Sequence, residues 1–250
     1  MSVPKLSIIT VTYNAAEFIE PTIQSIASQS FRDFEYVVVD GLSKDNTVEI
    51  LKNHPETVHR WVSEKDAGLY DAMNKAIALA QGEYVMFLNA GDLLYDDEVL
   101  SEVFAAAHDE DIIYGDTAVI DTNYELVGMR HLRPPHNLNW KSFQKGMVVC
   151  HQAIIARRAI VPLYDTQYRV AADIDWAIRL TKASKSSFFF TEPLVQFMQD
   201  GISTQYRSLG LKERYRVMVN HYGRIPTFLN NLWLGIKYFA TLRFISNVRK

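Results

Sequence analysis

The sequence predicts an α/β protein built on a doubly wound, mainly parallel sheet, with a mixed second half and a helical C-terminal segment. Three observations predict it. Short β-branched runs alternate with apolar residues at helical spacing through roughly the first hundred residues. The links between them are short, which favours strand–helix–strand units with helices on both faces of the sheet. The composition, 48% hydrophobic and 22% charged with 11 Gly and 8 Pro in 250 residues, is that of a globular chain and excludes collagen-like, low-complexity and disordered classes.

The elements follow in order. Residues 6–12 (LSIITVT) read as a buried strand, and residues 18–27 place Phe18, Ile19, Ile23, Ile26 and Ala27 at helical spacing. Residues 34–39 (FEYVVV) form a second buried strand, and Ser43 and Asp45 lie where caps belong before a helix at 46–52. A third strand ends at Trp61–Val62, a long helix covers 69–80, and Gly82 separates it from a strand at 84–88. A helix at 96–107 closes this half. Beyond it, 114–130 suggests a hairpin, 146–150 a strand, and 174–183 a helix with Ile174, Ala177, Ile178 and Leu180 on its apolar side. The expected layout is one domain over 1–204, in halves 1–110 and 111–204, plus an extension over 205–250.

That extension is distinctive in charge. The chain is −3 overall, yet residues 205–250 carry nine Lys and Arg against one acid, Glu213, a local +8 on a body of −11. A basic, aromatic-rich tail on an acidic body fits a polyanionic partner such as an anionic membrane surface or a diphosphate, or else a solvated helix pair. Its apolar residues do not keep to one stripe, which suits a helix sandwiched in protein or lying at a membrane surface. Nucleic acid is not expected, because no binding motif accompanies the charge. A single cysteine, Cys150, excludes a disulfide framework or a multi-cysteine metal site and fits a reducing compartment. No signal peptide and no run of 18 uncharged apolar residues is evident, so a cytoplasmic protein, peripheral at most on the membrane, is expected.

In a doubly wound sheet, ligands bind beyond the carboxyl ends of the strands. The residues there are Thr12-Tyr13-Asn14, then Asp40 to Asp45, then Glu64 to Gly68, and finally Asn89-Ala90-Gly91-Asp92. Three of these four clusters contain aspartate. Converging carboxylates repel an anion unless a cation stands between, which points to a hard divalent metal, Mg²⁺ or Mn²⁺. Neither G-x-G-x-x-G nor G-x-x-x-x-G-K-S/T is present, so a glycine-rich phosphate loop is not expected.

With SIITVTYN (7–14), residues 25–47, residues 63–92, CHQAIIARR (150–158) and VAADIDWAIRL (170–180) in this order and spacing, residues 6–205 resemble the family 2 glycosyltransferases, which have the GT-A fold. Within that family the chain resembles bacterial transferases of colanic acid and other surface polysaccharides of the WcaE type. The resemblance implies a nucleotide-sugar donor, a glycan or lipid-linked acceptor at the cytoplasmic membrane face, and a metal-dependent transfer.

It also implies roles for particular residues. Tyr13 matches the aromatic beside the nucleotide base, with Thr12 and Asn14 flanking it. Asp40 matches the carboxylate that meets the base or ribose, and otherwise would stabilise its own turn. Asp66 lies at a nucleotide-contacting position, and Asp71, Asn74 and Lys75 border the same cleft. Where relatives often read D-x-D-D this chain reads Asn89-Ala90-Gly91-Asp92, keeping Asp92 as the metal ligand. Asp173, in the segment where relatives read Glu-Asp-x-Asp, matches the general base; Asp175 follows it, and either also suits a helix N-terminus. His151 matches a histidine on the acceptor or phosphate side. Gln199 to Ser203 resembles a loop near the donor diphosphate. The implied reaction is inverting sugar transfer to a hydroxyl. A non-catalytic nucleotide-sugar-binding scaffold and a nucleotidyltransferase are the alternatives, the first suggested by the acids missing at Gly91 and Ala172.

Overall fold

The structure is a computed structural model, describing residues 3–199 and 206–232. Nine strands form one sheet: β1 (Leu6–Thr12), β2 (Phe34–Asp40), β3 (Arg60–Ser63), β4 (Tyr84–Phe87), β5 (Leu93–Leu94), β6 (Ile112–Ile120), β7 (Leu126–Met129), β8 (Ile154–Arg157) and β9 (Ser187–Met198). Their order is β3-β2-β1-β4-β8-β6-β9-β5, with β7 beside β6. The first four pair in parallel; β8 then runs antiparallel to both β4 and β6, which makes the second half mixed. The helices are α1 (Ile19–Ala27), α2 (Thr47–Lys52), α3 (Leu69–Leu79), α4 (Val99–Ala106), α5 (Ala172–Ala183) and α6 (Arg207–Tyr222). None of the described helices is long and apolar enough to cross a membrane.

All seven residues of β1 are buried, as its unbroken apolar run requires of a strand covered on both faces. Helix α1 buries Ile19, Ile23 and Ile26 and packs beside β5 and α2, while α3 buries Tyr70, Met73 and Ala76 and packs on β1 and β2. The register sets Thr12 beside Asp40 and Asp40 beside Ser63, so the carboxyl ends of β1, β2 and β3 lie level. This alignment gathers distant polar residues onto one rim.

At the opposite rim the amino ends of the strands are stitched. The buried Glu35 carboxylate accepts from Ser7 Oγ at 2.6 Å and from Gly82 N at 3.2 Å, while Gly82 N also reaches Ser7 Oγ at 2.8 Å. A Cβ at Gly82 would stand 2.6 Å from Ser7 N, so only glycine fits that crossing.

Two expectations need correction. Residues 146–150 are not a strand but irregular chain after a 3₁₀ turn, Trp140–Lys145; the strand of this region is Ile154–Arg157. The apolar residues Val149 and Cys150 are buried without sheet pairing, which is why the run looked strand-like. The boundary expected at residue 204 does not separate the extension from the body either. Helix α6 buries Glu213, Val217 and Met218. The Glu213 carboxylate accepts from the backbone N–H groups of Arg169, Val170 and Ala171 at 2.8–3.1 Å. The start of the basic segment is thus part of the domain. Residues 200–203 of the expected loop, and residues beyond 232, lie outside the described residues.

Candidate active site

The rim begins where β2 ends. Asp40 is fully buried, and its carboxylate accepts from Ser43 N at 3.0 Å, from Ser43 Oγ, and from Ser63 Oγ at 2.6 Å. With both oxygens engaged, Asp40 shapes the turn that follows it, the second of the two roles expected of it. The turn presents Gly41 as bare backbone. A Cβ there would collide with Asp66 Oδ2 and touch Tyr13 Cδ2 at 3.4 Å. Asp66 Oδ1 is held by Gly68 N at 2.9 Å, which leaves Oδ2 facing Gly41, and the Tyr13 ring is 59% exposed. An aromatic face, a carboxylate oxygen and an unobstructed backbone therefore converge from β1, β2 and the loop after β3, an arrangement that suits a flat heterocycle.

Asn14 has φ +49°, and its side-chain oxygen accepts from Lys44 N at 2.8 Å while its own N–H donates to Ser43 Oγ at 2.8 Å. It clasps the two loops together, and its expected place among donor contacts becomes a supporting one. Asn74 and Lys75 are corrected likewise. The Asn74 amide pairs with the Tyr164 backbone in both directions, at 2.9 and 2.7 Å. Lys75 Nζ reaches Lys65 O at 2.8 Å and pairs with Glu64 at 2.9 Å and Asp71 at 3.6 Å, so it tethers the 64–68 loop to α3.

Beyond β4 the turn 89–92 is anchored to α1: Gly91 N donates to Thr22 Oγ1 at 3.0 Å, and that hydroxyl donates to Asp92 O at 2.9 Å. Gly91 has φ +97°, and a Cβ there would sit 3.1 Å from Met198 Sδ, so the position serves backbone geometry and close packing. Asp92 is 3% exposed; its carboxylate accepts from Met198 N at 2.9 Å and Gln152 Nε2 at 2.8 Å. Burial pushes its pKa up to about 7, and these hydrogen bonds pull against that rise. Nearby polar atoms are left without partners: Thr12 Oγ1, Asn89 Oδ1, Tyr124 OH and His151 Nε2 are buried and unpaired. Buried polar groups are normally satisfied, so such a set marks a place built for a ligand.

Tyr124 enters from the β6–β7 hairpin tip at φ +64°. Burial raises its pKa, and the Asp92 charge adds to the rise, which places the phenol within electrostatic reach of Asp92. The Asp92 carboxylate and the Asn89 amide oxygen are hard ligands. Among the described residues no three His, Cys, Asp or Glu side chains gather into a cage. That set fits Mg²⁺ or Mn²⁺ only as an ion completing its shell with a diphosphate and water.

Asp173 sits in the first turn of α5, half-buried, with Oδ1 accepting from Ile174 N at 2.8 Å. Burial pushes its pKa up to about 6, against the pull of that hydrogen bond and of Arg130 and Arg214. At neutral pH it is therefore ionised yet more basic than an ordinary carboxylate, as a general base should be. Asp175, in contrast, is a tether. It accepts from Arg179 Nε and from His221 Nε2, each at 2.7 Å. Burial alone would raise its pKa, but these partners outweigh burial and hold it below the usual value. Its expected acceptor or phosphate role is replaced by locking α5 to α6. His151 is half-buried with Nε2 turned from solvent, and burial together with the Arg130 charge lowers its pKa to about 4, so the ring is neutral at physiological pH.

Cys150 joins the two acids. Its thiol donates to Gln152 Oε1 at 2.7 Å, and Gln152 in turn holds Asp92. Burial pushes the thiol up to about 12; Arg130 opposes that rise, and Asp92 and Asp173 both add to it. Asp92 is thus held at the 150–152 turn, and the Asp173 charge acts on the same cysteine. Sequence reasoning missed Gly41, Tyr124, Arg130, Gln152, Arg214 and Glu213. Of these, Arg214 and Glu213 left a signal, as a member of the basic segment and as its single acid.

Comparison with known proteins supplies the family and the fold. Residues 7–161 match the family model described as glycosyl transferase family 2. The chain belongs to glycosyltransferase family 2. Among its relatives is a PGL/p-HBAD biosynthesis glycosyltransferase of Mycobacterium bovis, 37% identical over 188 residues, which are 72% of this chain and 70% of the relative. Solved structures with the same fold include residues 1–349 of Staphylococcus aureus TarS in complex with UDP, with TM-score 0.69 and 19% identity. That match covers 86% of this chain, which spans 64% of the TarS structure. The mannosyltransferase PcManGT from Pyrobaculum calidifontis, in complex with GDP-Man and Mn²⁺, gives TM-score 0.64 at 18% identity, covering 91% of this chain and 68% of its own. The fold of this family 2 chain is thus the GT-A fold, with nucleotide half and mixed half in one sheet.

Proposed function

We propose that this family 2 chain transfers a sugar from a nucleoside-diphosphate donor to a hydroxyl of a glycan or lipid-linked oligosaccharide in surface-glycan synthesis, with inversion at the anomeric carbon. The observation that carries the proposal is the pair Asp92 and Asp173, distant in sequence, of which Asp92 is hydrogen-bonded at the 150–152 turn and Asp173 lies within electrostatic reach of it. The relative named for PGL/p-HBAD biosynthesis supports the glycan setting, and the UDP and GDP-Man complexes of the structural neighbours support the donor class.

In this reading Tyr13 stacks on the base, with Asp66 accepting from its edge or from the ribose above Gly41. Asp173 takes the proton of the acceptor hydroxyl as its oxygen attacks the anomeric carbon, and the nucleoside diphosphate leaves from the opposite face. Asp92 and Asn89 are the residues that would hold a divalent ion. Bound with the donor, that ion supplies neutralisation of charge on the departing diphosphate. Tyr124 and His151 offer neutral polar groups to the reacting sugar or its phosphates. No enzyme nucleophile is needed, which is why inversion follows.

The work surface is an anionic membrane, a reading supported by the helical residues 224–232. Ile225, Phe228, Leu229 and Leu232 are each more than half exposed, at spacing that makes one apolar stripe beside Arg224. Sedimentation with anionic vesicles of the intact chain and of a variant with Phe228 and Leu229 replaced by Ser checks it: equal binding by both rejects the surface.

The transfer itself is tested by nucleoside diphosphate release from a panel of UDP-, GDP- and dTDP-sugars with Mn²⁺. One donor should be turned over by the parent chain and not by Asp173→Asn, with donor-induced thermal stabilisation kept in both. Release that is unaffected by the substitution removes Asp173 from the mechanism. The acid limb of kcat/KM should fall with an apparent value near 6, to which burial raises the Asp173 carboxyl.

A further inference from the structure

Two guanidinium groups border the Asp173 side of the site without an acid to neutralise them. Arg130 follows β7, and Arg214 lies on α6 next to Glu213. Among the described residues neither has a carboxylate within ion-pair distance. Each gives a hydrogen bond to a backbone carbonyl instead: Arg130 Nη1 to Leu132 O at 3.1 Å, and Arg214 Nη2 to Lys145 O at 3.1 Å.

Arg214 packs against Gly146, which has φ +128°, and the residue that holds Arg130 touches the same glycine. A Cβ built there would be 2.9 Å from Arg214 Nη2 and 3.5 Å from Leu132 Cδ1, and Leu132 is the residue whose carbonyl holds Arg130. Glu213 fixes the other boundary, because its carboxylate gathers the backbone N–H groups of residues 169–171 immediately before the Asp173 turn. Arg214 therefore stands beside that turn from α6, and Arg130, at the end of the hairpin, lies within electrostatic reach of Asp173. Both arginines act on the Asp173 carboxyl, and Arg130 also acts on Cys150 and His151.

Partly desolvated cations without counter-ions are costly to hold unless an anion arrives to use them. Asp173, even when ionised, offers one negative charge to two guanidinium groups. Guanidinium forks match phosphoryl oxygens in shape and charge, more closely than a lysine would.

We propose that Arg130 and Arg214 form a phosphoryl-binding seat next to Asp173, Arg214 reaching it from α6 beside Gly146 and Arg130 from the β6–β7 hairpin through Leu132, which lies against the same glycine. The seat rests on the reading of Asp173 as the base. A phosphoryl group can reach it from two sources, the phosphate of a lipid-linked acceptor or the diphosphate of the donor. A base opposite the leaving group sets this seat nearer the acceptor.

The experiment titrates inorganic pyrophosphate into the intact chain by calorimetry, with Arg130→Gln and Arg214→Gln alongside. The parent should bind pyrophosphate, and each variant should bind at least tenfold more weakly with an unchanged melting temperature. Arg130→Lys should recover only part of the loss, because it keeps charge but not the fork. Should Arg214→Gln fail to fold, Arg130→Gln decides alone, since its side chain holds only a neighbouring carbonyl of its own loop.

Titration of UDP and GDP separates the sources. A tenfold loss of nucleotide affinity in the variants assigns the seat to the donor diphosphate; unchanged nucleotide affinity with lost pyrophosphate binding assigns it to the acceptor phosphate. Asp173→Asn should tighten pyrophosphate binding several-fold by removing the nearby negative charge. Pyrophosphate binding that is absent in the parent, or equal in parent and arginine variants, overturns the seat. Retained turnover in Asp173→Asn overturns the base instead, so the two failures are distinct.

Discussion

Replacing Asp173 by Asn should make the protein more stable while disabling it, and only at pH values where the native carboxyl is charged. Burial raises the Asp173 pKa to about 6 from its ordinary value of 3.8. The gap is about 2 units, and each unit is worth about 1.4 kcal/mol. An acid whose native pKa is raised binds its proton more tightly folded than unfolded. Its contribution to stability is then complete below about pH 4, shrinks as pH rises toward 6, and is gone above that. The charged side chain at pH 8 therefore costs the fold about 3 kcal/mol. Asn keeps the acceptor for the Ile174 N–H and cannot ionise, so it escapes the loss. Urea unfolding of parent and variant should show near-equal stability at pH 4 and a variant advantage that grows by about 2 kcal/mol by pH 8. A difference that is flat with pH, or a variant weaker than the parent at pH 8, would refute the burial of charge at this position.

Other substitutions follow from the same geometry. Gly41→Ala should raise the donor KM at least tenfold, measured by initial rates, because its Cβ displaces Asp66 from Tyr13, with little change in kcat. Glu213→Ala should lower stability by about 2–3 kcal/mol, read as a fall in melting temperature, since three backbone N–H groups lose their acceptor. Its activity should fall as well, because the Asp173 turn is no longer held. Asp92→Asn should abolish the extra thermal stabilisation that Mn²⁺ gives in the presence of UDP, while raising stability without ligand above pH 7, where the parent must keep a buried charge.

The strands were legible because a parallel sheet covered on both faces demands unbroken apolar runs, and LSIITVT and FEYVVV supply them. The rim was legible for a topological reason: polar residues directly after such strands have one place to go. What each polar side chain does there was less so. Asn14, Asp40, Asn74, Lys75 and Asp175 lie beside the site, yet their partners come from Lys44, Ser63, Tyr164, Glu64 and His221, choices that only the folded arrangement fixes. Residues 146–150 misled because a short apolar run reads alike in a strand and in buried irregular chain. Arg130 and Tyr124 carried no pattern at all, as a hairpin aims them by backbone geometry and not by sequence period.

The stitched rim of Ser7, Glu35 and Gly82 has a consequence for anyone reshaping this enzyme. Fastening at one end and open, unsatisfied groups at the other divide the molecule into a chassis and a workface. Diversity introduced around Gly41, Tyr124 and Asn89 would be felt as altered substrate choice. Diversity at Ser7, Glu35 or Gly82 would be felt as chains that never reach a usable shape. A library meant to change which sugar is moved belongs wholly on the first set.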